Sequence, residues 1–467
     1  MPSKKKAATA ALPPASLKSP SRWPRIDRAF RRRAINVGHL LSGNGVTAAL
    51  ALIGVAITAR SLGPDGYGLL ALMVSYVRLF DRLMRFESWQ PLIRYAVDAH
   101  DSEEQRRKRL RDLFAFGFRL DGAACAAAAG AAALIAFIAS PLIGIPDAYV
   151  GLVLVHCTSL LFNISGTPTA ILRLAGRFRT IAYVQVTGSI ARIVLCALAA
   201  WANGGLLYFV LAWTAGQILS SLLFLIIALV ELRRQGIVDL HRAPLRGITT
   251  AFPGIMGFAW SSSLSMSIRS SSMELDVILV GALADPRSAG LYFVAKQVAK
   301  MVQQVCGQVQ AVLYPDVARL WAERSFALFR RAVVQTQCAL DLFMLGAMAI
   351  LVLMGHDLVQ FVMGPHFGAA FPLLLVQMIA LLFTMHAAPL RSALLAMNRQ
   401  RSVLRIVLFA TCIFHGLALT LIPLMGAMGA NVAHVALALV SAVMMEYSHH
   451  HGFRQQNPEN ALRPASD

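Results

Sequence analysis

Charge is scarce in this sequence. Only 14% of its 467 residues are Asp, Glu, Lys or Arg, against about 25% in soluble domains. Acid is scarcer still, with 23 Asp and Glu against 43 Lys and Arg and a formal net charge of +20. A Gly-rich phosphate loop, an HExxH motif and any CxxC pair are all missing. The first two absences remove the usual soluble phosphate-binding and zinc-hydrolase chemistries. The third removes the common redox and zinc frameworks. The cysteines, Cys125, Cys157, Cys196, Cys306, Cys338 and Cys412, all fall in apolar stretches and read as small hydrophobes. So little charge excludes an ordinary cytosolic enzyme and a disordered chain.

Apolar residues take the place of charge, at 57% of the chain. Runs of about 20 apolar residues recur from Asn36 to Glu446, the length that crosses a bilayer as a helix. The pattern predicts an all-α polytopic membrane protein. Twelve spans are expected at 37–60, 66–95, 112–138, 149–172, 181–201, 206–230, 252–282, 288–314, 328–354, 369–395, 403–423 and 426–446. Basic residues alternate between successive loops. Counted with the N-terminal tail, one side holds 31 of them, and the other holds only Arg60 and Arg287. The positive-inside rule then places both termini in the cytoplasm. It also accounts for most of the net charge without nucleic acid. Residues 1–34, with one acid and with Pro13, Pro14, Pro20 and Pro24 to break any helix, read as a disordered basic arm rather than a signal peptide.

The two halves share a spacing. Gly68-Leu69 and Gly290-Leu291 lie 222 residues apart, as do the turn sequences beginning at Leu172 and Leu394. Six spans per half means that both copies run the same way, a parallel repeat. The expected organisation is a tail (1–34), a six-helix lobe (35–235), a basic linker (236–250), a second six-helix lobe (251–447) and a C-terminal tail (448–467).

Ten basic residues fall inside spans or at their edges: Arg78, Arg82, Arg85, Arg94, Arg119, Arg192, Arg269, Lys296, Lys300 and Arg391. An Arg at the bilayer centre costs about 2.5–3.5 kcal/mol even on the mildest scale, so these side chains are expected to face protein or a water-filled cavity. Arg78, Arg82 and Arg85 share one helical face, roughly 18 Å inward from Gly66 for Arg78. Asp81 is within reach of Arg78 and Arg85, and Pro91 is expected to kink the helix nearby. Lys300 occupies the repeat position of Arg78. Arg269 and Asp276 share a face of span 7. The span acids, Asp81, Glu87, Asp121, Glu274, Asp276 and Asp341, number six against the ten cations. Salt bridges between helices account for part of this set. The excess positive charge suits an anionic ligand, phosphate above all, because guanidinium binds it bidentately. The candidate substrate-binding residues are Arg78, Arg82, Arg85, Arg119, Arg192, Arg269, Lys296 and Lys300. Asp81, Glu274 and Asp276 are candidates for coupling to H⁺ or Na⁺. His39, His156, His386, His415 and His434 are expected to be hydrogen-bonded in the interior. The run His449-His450-His451 reads as solvated tail. The tryptophans suit interface belts or packing, with sugar stacking open for Trp89 and Trp260.

Ala59-Arg60-Ser61-Leu62-Gly63-Pro64-Asp65-Gly66-Tyr67-Gly68 resembles the ARxLGPxxYG segment of polysaccharide biosynthesis proteins, oligosaccharide-lipid flippases of the multidrug/oligosaccharidyl-lipid/polysaccharide (MOP) exporter superfamily. Asp276 with Ala289-Gly290-Leu291-Tyr292 and Ala295 resembles that family's seventh and eighth helices. Gly364-Pro365-His366-Phe367-Gly368-Ala369-Ala370 resembles its GxxFxxA stretch. The resemblance covers about residues 36–446. It implies two six-helix lobes in a V around a central cavity, and alternating access in a bacterial inner membrane. It also implies export of an undecaprenyl-pyrophosphate-linked glycan whose pyrophosphate meets cavity Arg and Lys. Its partners would be membrane lipids and a polysaccharide polymerase or export machinery, with no cofactor beyond an ion gradient and no covalent step. Two alternatives stand beside it: a cation-coupled multidrug exporter of the same fold, and a non-transporting partner of a polysaccharide synthase.

Overall fold

The computed structural model describes residues 28–97, 103–243 and 248–456, with some side chains in these ranges excepted. Among the described residues there is no strand. The helices in chain order are α1 (Arg28–Met84), α2 (Trp89–Val97), α3 (Glu103–Ala139), α4 (Val150–Leu161), α5 (Gly166–Leu174), α6 (Phe178–Trp201) and α7 (Leu206–Arg234). They continue with α8 (Ile248–Ala251), α9 (Ile255–Leu283), α10 (Pro286–Ala322), α11 (Phe326–Met363), α12 (Ala370–Ala396), α13 (Gln400–Met425) and α14 (Ala427–Gln456). The first two expected spans are the two arms of α1, joined at Gly63, whose φ of 65° opens a corner just before Pro64. Gly tolerates that φ, and Pro cannot continue the preceding ladder.

Each of the twelve expected spans has a helical counterpart. Nine described segments, with 45–96 taken as one, are long and apolar enough to cross a membrane by length and composition. The serine-rich α9 and the lysine- and glutamine-bearing α10 are not among them. The chain is a multi-span membrane protein of helices. The helices also run past two expected boundaries. Residues 28–34, placed in the disordered arm, begin α1, and α14 continues ten residues beyond 446 to Gln456. The rest of both tails lies outside the described residues.

The repeat spacing reappears in backbone geometry. Gly176 and Asn398, 222 apart, both adopt positive φ, 68° and 60°. The following residues close the same hydrogen bonds, Arg177 N–H to Leu172 O at 2.8 Å and Arg399 N–H to Leu394 O at 2.9 Å. This is the Schellman ending of a helix, which needs a left-handed residue just past the last turn. The second arm of α1 and α10 begin at the equivalent prolines, Pro64 and Pro286. The Asp285 carboxylate caps α10, accepting from Ser288 N–H at 2.8 Å. These two helices cross backbone against backbone. A β-carbon on Gly68 would overlap the Pro286 carbonyl oxygen, and one on Gly290 would lie 2.7 Å from the Pro64 carbonyl oxygen and 2.9 Å from Gly68 Cα. The two contacts are images of each other under the offset. Arg60 fastens the same end of the bundle, donating from Nε to Val362 O at 2.9 Å and also to Phe361 O.

Two expected spans are interrupted. The second breaks at 85–88, where Pro91 lacks the N–H that would reach the Glu87 carbonyl. The fourth breaks at 162–165, ahead of Gly166 and Pro168. Asp121 of α3, only 5% exposed, joins the two breaks. It accepts from Ser88 Oγ at 2.6 Å, and from the N–H and hydroxyl of Thr167 at 2.7 Å each. Gly166 is required here, because a β-carbon would overlap Ser88 Oγ. Replacing Asp121 by Ala leaves three donors without their acceptor, at about 1–3 kcal/mol for each buried group left unpaired. We expect D121A to lose at least about 2 kcal/mol of stability, read as a lower melting midpoint in detergent. An unchanged midpoint would show that water takes over the role of the carboxylate.

Candidate site: a basic cavity in the first half

A cavity of about 510 Å³ lies against the broken helices, within the usual range of small-ligand sites. The second arm of α1 contributes Arg78, Asp81 and Arg82, and the break beyond it contributes Arg85. From α4 and the second break come His156, Ser159, Asn163 and Ser165. Arg173 of α5, Gln185 and Arg192 of α6, and Trp213, Gln217, Ser220 and Ser221 of α7 complete most of the wall. The second half adds Glu274 of α9 and Lys300 of α10. Unwound backbone at membrane depth is tolerated where it lines such a cavity.

Six cations, Arg78, Arg82, Arg85, Arg173, Arg192 and Lys300, meet two carboxylates, Asp81 and Glu274, on this lining. Asp81 is already engaged by Arg85, with Nε at 3.2 Å from Oδ1, and it accepts from Asn163 Nδ2 at 2.8 Å. Among the described residues no carboxylate pairs with Arg78, Arg192 or Lys300. Arg78 lies 6.0 Å from the ring centre of Phe293, and Arg192 lies 5.3 Å from that of Trp213. Such stacking orients a guanidinium and leaves its N–H fork available. Gly216 makes room for Arg192, whose Cβ would lie 3.0 Å from a β-carbon there. The arrangement can hold a multivalent anion, because one guest relieves several like-charge repulsions at once.

The structure thus brings five of the eight sequence-derived candidates to one cavity: Arg78, Arg82, Arg85, Arg192 and Lys300. Arg78 and Lys300, equivalent in the repeat, enter it from facing helices. Arg119 is elsewhere, donating from Nη2 to Ala243 O at 2.6 Å, in the stretch that follows α7. Lys296 is also elsewhere, 2.7 Å from Asp276 Oδ1. The Arg269 side chain lies outside the described residues. Asp276, expected to share a face with Arg269, is 1% exposed and enclosed by donors: Lys296, Tyr292 OH at 2.8 Å, His434 at 3.1 Å and the Val277 N–H at 2.7 Å. A carboxylate so saturated has little room for a second cation, so the coupling candidates on the cavity wall are Asp81, already held by Arg85 and Asn163, and Glu274. Arg78 does not share Asp81 with Arg85.

Arg173 follows the expected end of the fourth span (149–172) and so counts among the basic residues of the next loop. It sits instead at the end of α5, stacked 4.1 Å from the Trp89 ring centre. That contact gives Trp89 a structural role, as does its indole N–H donating to Glu87 Oε2 at 2.6 Å. Gly166 and Pro168 interrupting an apolar run were the available signal for this part of the site. The interior histidines behave as expected where described. His156 meets Thr214 Oγ1 at 2.9 Å, and His415 meets Thr411 O at 2.8 Å. Cys157 and Cys196 are buried, whereas Cys338 and Cys412 lie on the outer surface of the helices.

The halves also touch at the opposite end from Gly68. Glu87 N–H donates to Ser263 Oγ at 3.0 Å, and Tyr95 OH donates to Pro253 O at 2.6 Å.

Comparison with known proteins agrees with this architecture. "Inner membrane protein YghQ" of Escherichia coli (strain K12) is 29% identical over 349 residues, covering 74% of this chain and 97% of that protein. A solved structure titled "Lipid II flippase MurJ, inward closed conformation" superposes with a TM-score of 0.70 at 14% identity, covering 91% of each chain. An inward-facing multidrug resistance MATE family transporter of the MOP superfamily gives 0.67 at 14% identity, covering 88% of this chain and 95% of that one. At these identities the two structures establish the fold, that of MOP superfamily transporters. A family profile described as "Polysaccharide biosynthesis protein" matches residues 57–372, more than half of the sequence and the whole of the cavity lining, and the chain therefore belongs to the polysaccharide biosynthesis protein family.

Proposed function

We propose that the protein moves an undecaprenyl-pyrophosphate-linked oligosaccharide, a repeat unit of a surface polysaccharide, from the cytoplasmic to the periplasmic leaflet of a bacterial inner membrane. The observation that carries this reading is the cavity whose Arg78, Arg192 and Lys300 have no carboxylate partner among the described residues. A pyrophosphate supplies the missing negative charge, and paired phosphate oxygens suit guanidinium forks. The polyprenyl tail stays in the bilayer while the headgroup occupies the cavity. With both termini cytoplasmic, the Gly68–Gly290 crossing is the periplasmic seal. The cavity reaches the other way, toward Arg173 at the basic end. Alternating access then needs the crossing to part and the basic end to close. A surplus of positive charge disfavours organic cations as cargo. Glu274, which lines the same cavity and has no ion pair with Lys300 among the described residues, is the carboxylate we assign to couple a proton or Na⁺ to this cycle.

A strain lacking the gene and its related transporters tests the proposal. We expect lipid-linked oligosaccharide to accumulate and surface polymer to disappear, and wild-type protein to restore both. Glu274→Gln in the same assay is expected to leave accumulation unrelieved. Unchanged lipid-linked pools in the deletion strain would overturn the flippase reading, and full restoration by E274Q would overturn the coupling role.

A further inference from the structure

A second polar cluster lies at the basic end of the other half, between α11, α12 and α14. Glu446, His449 and His450 follow one another on α14 at i, i+3 and i+4, so their side chains gather on one face. One ligand atom from each lies within 4.8 Å of the other two. His450 Nε2 is 2.9 Å from Glu446 Oε1, and His386 Nε2 of α12 is 3.7 Å from Glu446 Oε2. Ligand atoms held about 2.0–2.1 Å from a tetrahedral zinc are about 3.3 Å apart, a value these two separations bracket.

Two further observations point to a cation. His449, read from the sequence as solvated tail, is only 5% exposed. Neither of its ring nitrogens has a hydrogen-bond partner among the described residues. A buried imidazole with two unmet nitrogens, wedged between Phe329 and Phe453 beside a carboxylate, carries an unpaid desolvation cost. A metal at one nitrogen removes part of that cost. Second, His386 Nδ1 faces Asp341 Oδ2 at 2.9 Å, which directs its N–H to the carboxylate and leaves Nε2 as a lone pair. That is the carboxylate–histidine–metal relay, in which an outer acid fixes the ring of a ligand. Gln337 Nε2 lies 3.4 Å from both His386 Nε2 and Glu446 Oε2, so neither acceptor has a close donor in it.

We propose that Glu446, His449 and His450 bind a divalent transition metal of the Zn²⁺ class, with His386 completing the shell from α12. Imidazole and carboxylate without thiolate are the donors of such a site. The ion ties the end of α14 to α12, a helix it packs along. The site is separate from the transport cavity, and the inference does not depend on the cargo.

The test uses full-length protein purified in detergent through a histidine-free tag and stripped with chelator. Zn²⁺ titration is expected to show one saturable site per chain and a melting midpoint that rises with metal, as for any ligand bound only by the folded state. Glu446→Gln and His450→Gln are each expected to weaken binding at least tenfold and abolish the rise in midpoint. His386→Gln is expected to weaken binding about tenfold. His451→Gln, whose ring stacks on Tyr447 and meets Gln455, is expected to leave it unchanged. Absence of saturable uptake by wild-type protein would overturn the site, including the case in which the histidines only exchange protons with Glu446. An equal loss in H451Q would show the histidine run acting as an unstructured chelator and would overturn it too. Unchanged affinity in H386Q would remove α12 from the shell.

Discussion

Replacing Arg78 and Arg192 together by glutamine is expected to abolish transport while raising the stability of the protein. Each guanidinium can offer charge-assisted hydrogen bonds to an anion, worth about 1.5–3 kcal/mol apiece. At about 1.4 kcal/mol per factor of ten, one substitution costs roughly 10–100-fold and the pair roughly 10²–10⁴-fold. Glutamine keeps polarity and much of the length, so packing against Phe293 and Trp213 is disturbed little. The opposite effect on stability follows from the resting cavity. Six cations facing two carboxylates repel one another when no guest is present. Function and stability are therefore set against each other at these positions. The measurements are the lipid-linked oligosaccharide pool in complemented cells and the melting midpoint in detergent. Arg119→Gln, which loses one hydrogen bond to Ala243 away from the cavity, is the matched control and should retain transport. A double variant that transports normally would remove the cavity from the mechanism. One that melts lower and is lost from the membrane would mean that these arginines serve the fold.

The second large effect belongs to Gly68. An alanine there must push its methyl group into the Pro286 carbonyl, which is main chain and cannot swing aside as a side chain would. Overpacking of this kind costs about 1–3 kcal/mol, more when backbone must move. The crossing is also where the halves meet at the expected periplasmic end, so displacement would loosen the seal as well as the fold. We expect G68A to lower the melting midpoint and to lose transport. Gly346→Ala on α11 is the contrasting case, because a β-carbon there meets nothing within 4 Å. That substitution is expected to stabilise by about 0.5–1 kcal/mol through helix propensity alone. The same chemical change thus carries opposite signs at two glycines. Equal midpoints for the two variants would refute the close crossing.

The helices were legible because bilayer physics writes them twice, once in apolar length and again in the alternation of basic loops. The repeat was legible for a local reason. Gly68 and Gly290, like the turns at Leu172 and Leu394, keep recognisable residues at constant spacing. The breaks at 85–88 and 162–165 were not legible as a pair. Their common support is Asp121, and its donors Ser88 and Thr167 lie 33 and 46 residues away. Asp276 shows the same limit. Its sequence neighbour on the helical face was Arg269, yet Lys296 and His434 hold it, the latter across 158 residues. Short-range periodicity identifies which charges are buried. Their pairing is decided by tertiary packing.

The interruptions in the first half have no equivalents in the second. Positions 307–310 and 384–387, which correspond to the two breaks, lie within unbroken stretches of α10 and α12. One half is therefore built of stiff beams and the other of jointed ones. A load applied across the bundle bends the jointed half first, and the joints border the cavity. In the proposed alternating-access cycle, rocking of the molecule would deform the basic cavity, whereas the beam-like half would turn almost as a solid lever.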